Sequence, residues 1–189
     1  MKKFIEKLPL IVSISTGILL LLFFIVSIFA SELTLEETKN MLDGDLYKIA
    51  EWMGKNIKTT HESLGYGQMP KRTFKYRKGD CEDWALLSQY FIGDKYETYT
   101  IIWCGQFRED SKYYAQYKNK KISHGVLAIK LTPNNWGIID QDRYISNGNS
   151  LSDIVKINCN LRKVNVKEAF IMDLRKFRRK VIKEINLGE

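Results

Sequence analysis

The chain has 189 residues, 30 Lys and Arg against 22 Asp and Glu, a formal charge of +8 and only two histidines. That length suits one domain with a sizeable core rather than two, and the absence of repeats and low-complexity tracts excludes solenoid and disordered classes. The basic excess meets no recognisable nucleic-acid module, and with no CxxC pattern there is no zinc signature.

The chain opens with Lys2, Lys3 and Lys7, after which Leu8 to Ala30 carries no charge. About 20 apolar residues cross a bilayer, so residues 1–31 are expected to form an N-terminal transmembrane helix. A cleaved signal peptide is the rival reading, although Ile28 stands where cleavage favours a small residue. Lysines before the span, and Glu32, Glu36, Glu37, Asp43 and Asp45 after it, place a single domain over 32–189 outside the cytoplasm.

Thr34-Leu35-Glu36-Glu37 has the form of a capping box that starts a helix. Met41, Leu42, Leu46, Ile49, Ala50, Met53 and Ile57 follow at helical spacing, and Gly44-Asp45 can break that helix in two. Glu62 to Arg77, with Gly65, Gly67 and Pro70, reads as a loop. Tyr66 and Gln68 on it could supply an oxyanion donor.

Lys78-Gly79-Asp80-Cys81-Glu82-Asp83-Trp84 places a cysteine at a helix start. Gly79 can end the loop in a conformation closed to other residues, and Asp80 is a favoured N-cap. Cys81 then falls on the first turn, where the helix dipole favours a thiolate. Glu82 and Asp83 oppose that, so a base is needed.

Glu97 to Gly105 reads as a strand, and Arg108 to Lys121 as a charged loop whose Tyr113, Tyr114 and Tyr117 could line a peptide cleft. Ile122 to Leu131 is a second strand carrying His124, and Trp136 to Asp140 a third, joined through Thr132-Pro133-Asn134-Asn135. A turn centred near Thr132 sets His124 and Asp140 directly opposite each other. A turn centred one or two residues later makes them diagonal, with a bulge to bring them together. Thiol, imidazole and carboxylate in that order have the logic of an activated nucleophile.

Beyond Asp140, Gln141 to Ser150 is polar, Ser152-Asp153 can cap a short helix before Ile157, and Asn160 to Val166 reads as a strand. Lys167 to Glu184 has Ala169, Phe170, Leu174, Phe177 and Val181 at helical spacing, with Arg and Lys elsewhere, and predicts a basic C-terminal helix. Its charged face is either solvated or set against an anionic surface. Cys104 and Cys159 could form a disulfide or remain buried thiols.

The blocks Gly79-Asp80-Cys81-Glu82-Asp83-Trp84-Ala85, His124-Gly125-Val126-Leu127 and Ile138-Ile139-Asp140 resemble the transglutaminase-like cysteine peptidase family, particularly its bacterial members. The likeness runs roughly from Asp45 to Tyr144. It implies an α+β, papain-like core in which the cysteine helix packs on an antiparallel sheet. It also implies catalysis by Cys81, His124 and Asp140 on a protein or peptide substrate. Peptide hydrolysis ranks first. Acyl transfer to an amine shares every one of these residues, and a catalytically silent binding module of the same fold is the alternative class. Some members hold calcium through the acidic residues flanking the cysteine, which Asp80, Glu82 and Asp83 match. No other cofactor is implied. With the N-terminal span, the expectation is a membrane-anchored hydrolase.

Overall fold

The computed structural model of the chain describes residues 32–60, 68–174 and 180–187. Residues 1–34 cluster as a separate unit, of which only residues 32–34 are described. The other unit begins with helices α1 (Leu35–Leu42) and α2 (Leu46–Asn56). The chain breaks between them at Asp43 and Gly44, both at positive φ. Asp45 then caps α2 by accepting the N–H groups of Tyr47 and Lys48, satisfying donors that a helix start leaves unpaired.

Strand β1 (Lys58–Thr59) pairs in parallel with β2 (Lys78–Gly79). Between them α3 (Pro70–Tyr76) replaces part of the expected loop. Proline at the start of α3 is pre-set for helix and loses no hydrogen bond there. Arg77, at φ 53, ends it.

Helix α4 (Cys81–Ile92) leads into an antiparallel sheet of β3 (Glu97–Phe107), β4 (Ile122–Thr132), β5 (Asn135–Asp140), β6 (Arg143–Gly148), β7 (Val164–Asp173) and β8 (Lys180–Glu184). Their order across the sheet is β6-β5-β4-β3-β7-β8. A short helix, α5 (Tyr114–Tyr117), interrupts the loop after β3, and α6 (Leu151–Leu161) connects β6 to β7.

Alternation along the central strands divides two cores between the faces. Leu127 and Ile129 of β4 and Ile139 of β5 bury against α2 and α4, with Met53, Trp84, Leu87 and Phe91. Val126 and Ala128 of β4, with Trp136 and Ile138 of β5, bury against α6, where Ile154, Val155 and Cys159 meet them. Each fully buried Leu, Ile or Phe contributes about 1.5–3 kcal/mol. The central hairpin is thus fixed from both sides.

Three expectations are corrected. The described residues of Lys167 to Glu184 form strands rather than a helix, with β7 running to Asp173 and β8 beginning at Lys180, while Phe177 lies outside the described residues. A register shift in the β3–β7 ladder skips Lys167, so the alternation that signals a strand is broken where it would have been read. The polar stretch after Asp140 contains β6, and α6 is capped by Ser150 rather than by Ser152-Asp153. The expected N-terminal transmembrane helix, the membrane as partner and the single-pass placement outside the cytoplasm are also corrected. No helix among the described residues is long and apolar enough to cross a membrane. At 12 residues α4 reaches roughly 18 Å, against a hydrocarbon core of about 30 Å. Residues 1–31, on which that expectation rested, lie outside the described residues.

Candidate active site

Helix α4 starts as its sequence dictates. Asp80 accepts the N–H groups of Glu82 and Asp83, at 2.9 and 3.1 Å, and Asp83 accepts that of Asp80 at 3.0 Å. This reciprocal box leaves Cys81 as the first helical residue. Gly79 is needed for space rather than for an unusual φ. A Cβ there would lie 2.6 Å from Asp83 Cβ and 2.8 Å from its Oδ2. Asp83, fully buried, also accepts the Gln68 Nε2 amide at 2.9 Å and the Gln68 backbone N–H. Gln68 therefore ties the preceding loop to the helix, while Tyr66 and His61 lie outside the described residues. Burial raises the Asp83 carboxyl above its ordinary range, because its hydrogen-bond partners are neutral and Asp80 adds like charge.

Cys81 and Cys104 are half-buried and Cys159 is buried, and none of the three forms a disulfide. Burial, with smaller contributions from the Asp80 and Glu82 charges, pushes the Cys81 thiol up to about 11 against the opposing hydrogen bond from the Gly125 N–H. Gly125 of β4 lies close against the start of α4. A Cβ on it would stand 3.3 Å from Glu82 Cγ and 3.4 Å from the Cys81 carbonyl carbon. The strand that carries His124 therefore touches the start of α4 one residue further on.

His124 and Asp140 meet on the face covered by α6. His124 Nε2 lies 2.7 Å from Asp140 Oδ1. The β4–β5 ladder pairs Leu127 with Ile139 and Ala128 with Ile138, which makes the contact diagonal. A register shift between Lys130 and Thr132 moves the turn past Thr132. Asp142 is not an alternative, because it sits in the turn after β5 beside Gln141, which has φ 55, and is exposed near Arg143.

Two residues that the sequence reading did not single out complete the group. Asn158 Nδ2 donates to Asp140 Oδ2 at 2.7 Å, and its Oδ1 accepts the Trp103 indole N–H at 3.0 Å. Arg162 clasps the same carboxylate with Nε on Oδ2 and a terminal nitrogen on Oδ1. Asn158 and Arg162 are four apart, which puts them on one side of a helix, and that spacing was the available signal. Trp103, opposite His124 on β3, sets its ring edge-on to the imidazole at 5.2 Å. Burial alone would raise the Asp140 carboxyl. The hydrogen bonds and charges of His124 and Arg162 outweigh it and hold the group well below the usual carboxylate range.

An open cleft of about 520 Å³ is lined by His124 and Arg162 together with Phe107, Tyr113, Tyr117 and Ile122. Two of the three tyrosines singled out for a peptide cleft thus share it with the imidazole. The acidic trio Asp80, Glu82 and Asp83 does not form a cation donor set. Asp80 and Asp83 turn oxygens onto backbone N–H groups, and among the described residues no cluster of three or more His, Cys, Asp or Glu is placed to hold a metal.

The chain is thus α+β, with a cysteine at the start of a helix that packs on an antiparallel sheet. The chain is similar to three solved structures of LapG from Legionella pneumophila. The calcium-bound form has TM-score 0.46 at 15% identity, over 86% of this chain and 92% of that one. A second LapG structure gives 0.42 at 15%, over 70% and 68%, and the EGTA-treated form 0.42 at 16%, over 72% and 70%. No family model and no curated protein matches the sequence.

Proposed function

We propose that the chain is a cysteine hydrolase that cleaves an amide bond of a protein or peptide, with Cys81 as nucleophile, His124 as base and Asp140 as the carboxylate that orients the base. The observation that carries this reading is the 2.7 Å contact of Asp140 with His124 Nε2, made one residue away from the Gly125 N–H that reaches the Cys81 sulfur. A carboxylate on Nε2 fixes the proton there and leaves Nδ1 as the acceptor.

Near neutral pH a thiol held up at about 11 is protonated, so its proton passes to Nδ1 as the sulfur attacks the substrate carbonyl carbon. The new S–C bond turns the carbonyl oxygen into an oxyanion at the start of α4, where Asp80 already takes the Glu82 and Asp83 N–H groups and the Cys81 backbone N–H is the donor offered to it. When the C–N bond breaks, the imidazolium returns the proton to the departing amine. Water, deprotonated by His124, then attacks the thioester, and the thiol leaves with that proton. An amine in place of water would give acyl transfer by the same steps. The cleft along Phe107, Tyr113 and Tyr117 suits an apolar or aromatic substrate side chain.

The test is incubation of the full chain and its Cys81→Ala variant with a peptide library derived from a proteome, in the presence of a fluorescent primary amine. New peptide N-termini that need Cys81 are expected. Amine incorporation without new termini would make the chain an acyl transferase. Neither product above the variant would make it a silent member of the fold.

A further inference from the structure

Arg162 stands out because the reaction as written does not use it, yet it is the residue most committed to Asp140. It makes two hydrogen bonds to a carboxylate that is 2% exposed. With His124 on Oδ1 and Asn158 on Oδ2, both oxygens carry two donors each. A carboxylate offers about four acceptor sites, so the group is saturated and cannot rotate without breaking a buried bond. Such a bidentate fork is a geometry that lysine cannot copy.

The charges matter as much as the geometry. The ionisable groups around the His124–Asp140 pair come from several elements: Cys81 and Glu82 on α4, Tyr113 and Tyr117 in the cleft, Asp140 on β5, Asp142 in the following turn, Cys159 on α6 and Arg162 at its C-cap. Of these, only Arg162 is a cation. It already balances Asp140 before any proton reaches the imidazole, so a proton on His124 leaves a net positive group rather than a neutral one. Cys81 also lies within electrostatic reach of the guanidinium, which favours the anion on sulfur.

We propose that Arg162 is a positioning residue that locks Asp140 onto His124 Nε2 and, through its own charge, limits how strongly the imidazole retains a proton. This rests on the triad reading above and deepens it. Without the guanidinium, the buried carboxylate has only the imidazolium as a counter-charge, and His124 holds its proton more tightly. The residue then acts through the base and need not touch substrate.

The experiment is a histidine titration by carbon-13 NMR on the full chain. His61→Gln assigns the two ring signals. In Arg162→Gln the His124 midpoint is expected to rise by about one pH unit relative to wild type. Alkylation of Cys81 by iodoacetamide at pH 7 should fall up to about tenfold and be restored by raising the pH by the same unit. In Arg162→Lys, which keeps the charge and loses the fork, the rise should be smaller. It also serves if the glutamine variant fails to fold. An unchanged or lowered His124 midpoint in a folded variant would overturn the inference. Failure of the triad reading would look different: the midpoint would still move, but Cys81 alkylation would ignore it.

Discussion

Asp83 and Asp140 are both aspartates with almost no exposure, at 0% and 2%, yet they are shifted in opposite directions. Asp83 has the amide and backbone N–H of Gln68 and the N–H of Asp80 as partners, and burial wins. Asp140 has an imidazole and a guanidinium, and burial loses. Burial alone therefore does not mark an electrostatic residue; the charge of the partners does. One carboxyl group ties a loop to a helix, while the other is held as an anion beside an imidazole.

The largest expected effect breaks the charged side of this pair. Asp140→Asn should lower turnover by roughly two to four orders of magnitude, because an amide can favour the wrong imidazole tautomer. It should also cost about 1.5–3 kcal/mol of stability by leaving the half-buried Arg162 without its counter-charge. Kinetics on folded protein and urea unfolding measure the two losses separately. Asp83→Asn keeps one acceptor and should cost only about 1–2 kcal/mol, with turnover changed by less than a few fold.

Gly79→Ala sharpens the neutral side. Its Cβ would collide with Asp83, and the loss should be about 1–3 kcal/mol in chemical unfolding. A neutral outcome would mean that the contact between loop and helix start yields freely.

Acid titration of stability separates the two carboxyls by sign. Asp140 is depressed, so its contribution is present above the ordinary carboxylate value of about 3.9 and is lost as pH falls through its lower folded value. Asp83 is raised, so its contribution is present below about 3.9 and is lost as pH rises through its higher folded value. Between pH 6 and 3, the urea midpoint gap between wild type and Asp83→Asn should widen as pH falls. The gap to Asp140→Asn should hold to about pH 4 and narrow below it. The smallest effect belongs to exposed Asp142, where Asn should alter neither stability nor turnover measurably.

The start of α4 and the β4–β5 hairpin were legible because local signals agree there. Asp80 caps, Cys81 opens the helix, and both strands are bounded by turn residues. The diagonal register was less visible, since a bulge near Thr132 shifts pairing without changing composition. Asn158 and Arg162 were missed because the sequence suggested only a short helix before Ile157, so their four-residue spacing was not read as one side of a helix. The C-terminal strands were misread because the bulge at Lys167 breaks alternation, while Ala169, Phe170 and Leu174 happen to fit a helical repeat. Pro70 opened a helix, but the flanking glycines dominated that reading.

Under the proposed function, the imidazole that Asp140 orients makes a half-buried, reluctant thiol reactive. The most direct test is the rate of Cys81 alkylation by iodoacetamide against pH, followed on the Cys81 peptide by mass spectrometry so that Cys104 and Cys159 do not interfere. In wild type, alkylation near pH 7 should be at least tenfold faster than in His124→Ala, whose rate should climb only toward pH 11, the value to which burial and the Asp80 and Glu82 charges hold the thiol. Superimposable pH profiles for the two proteins would contradict the account.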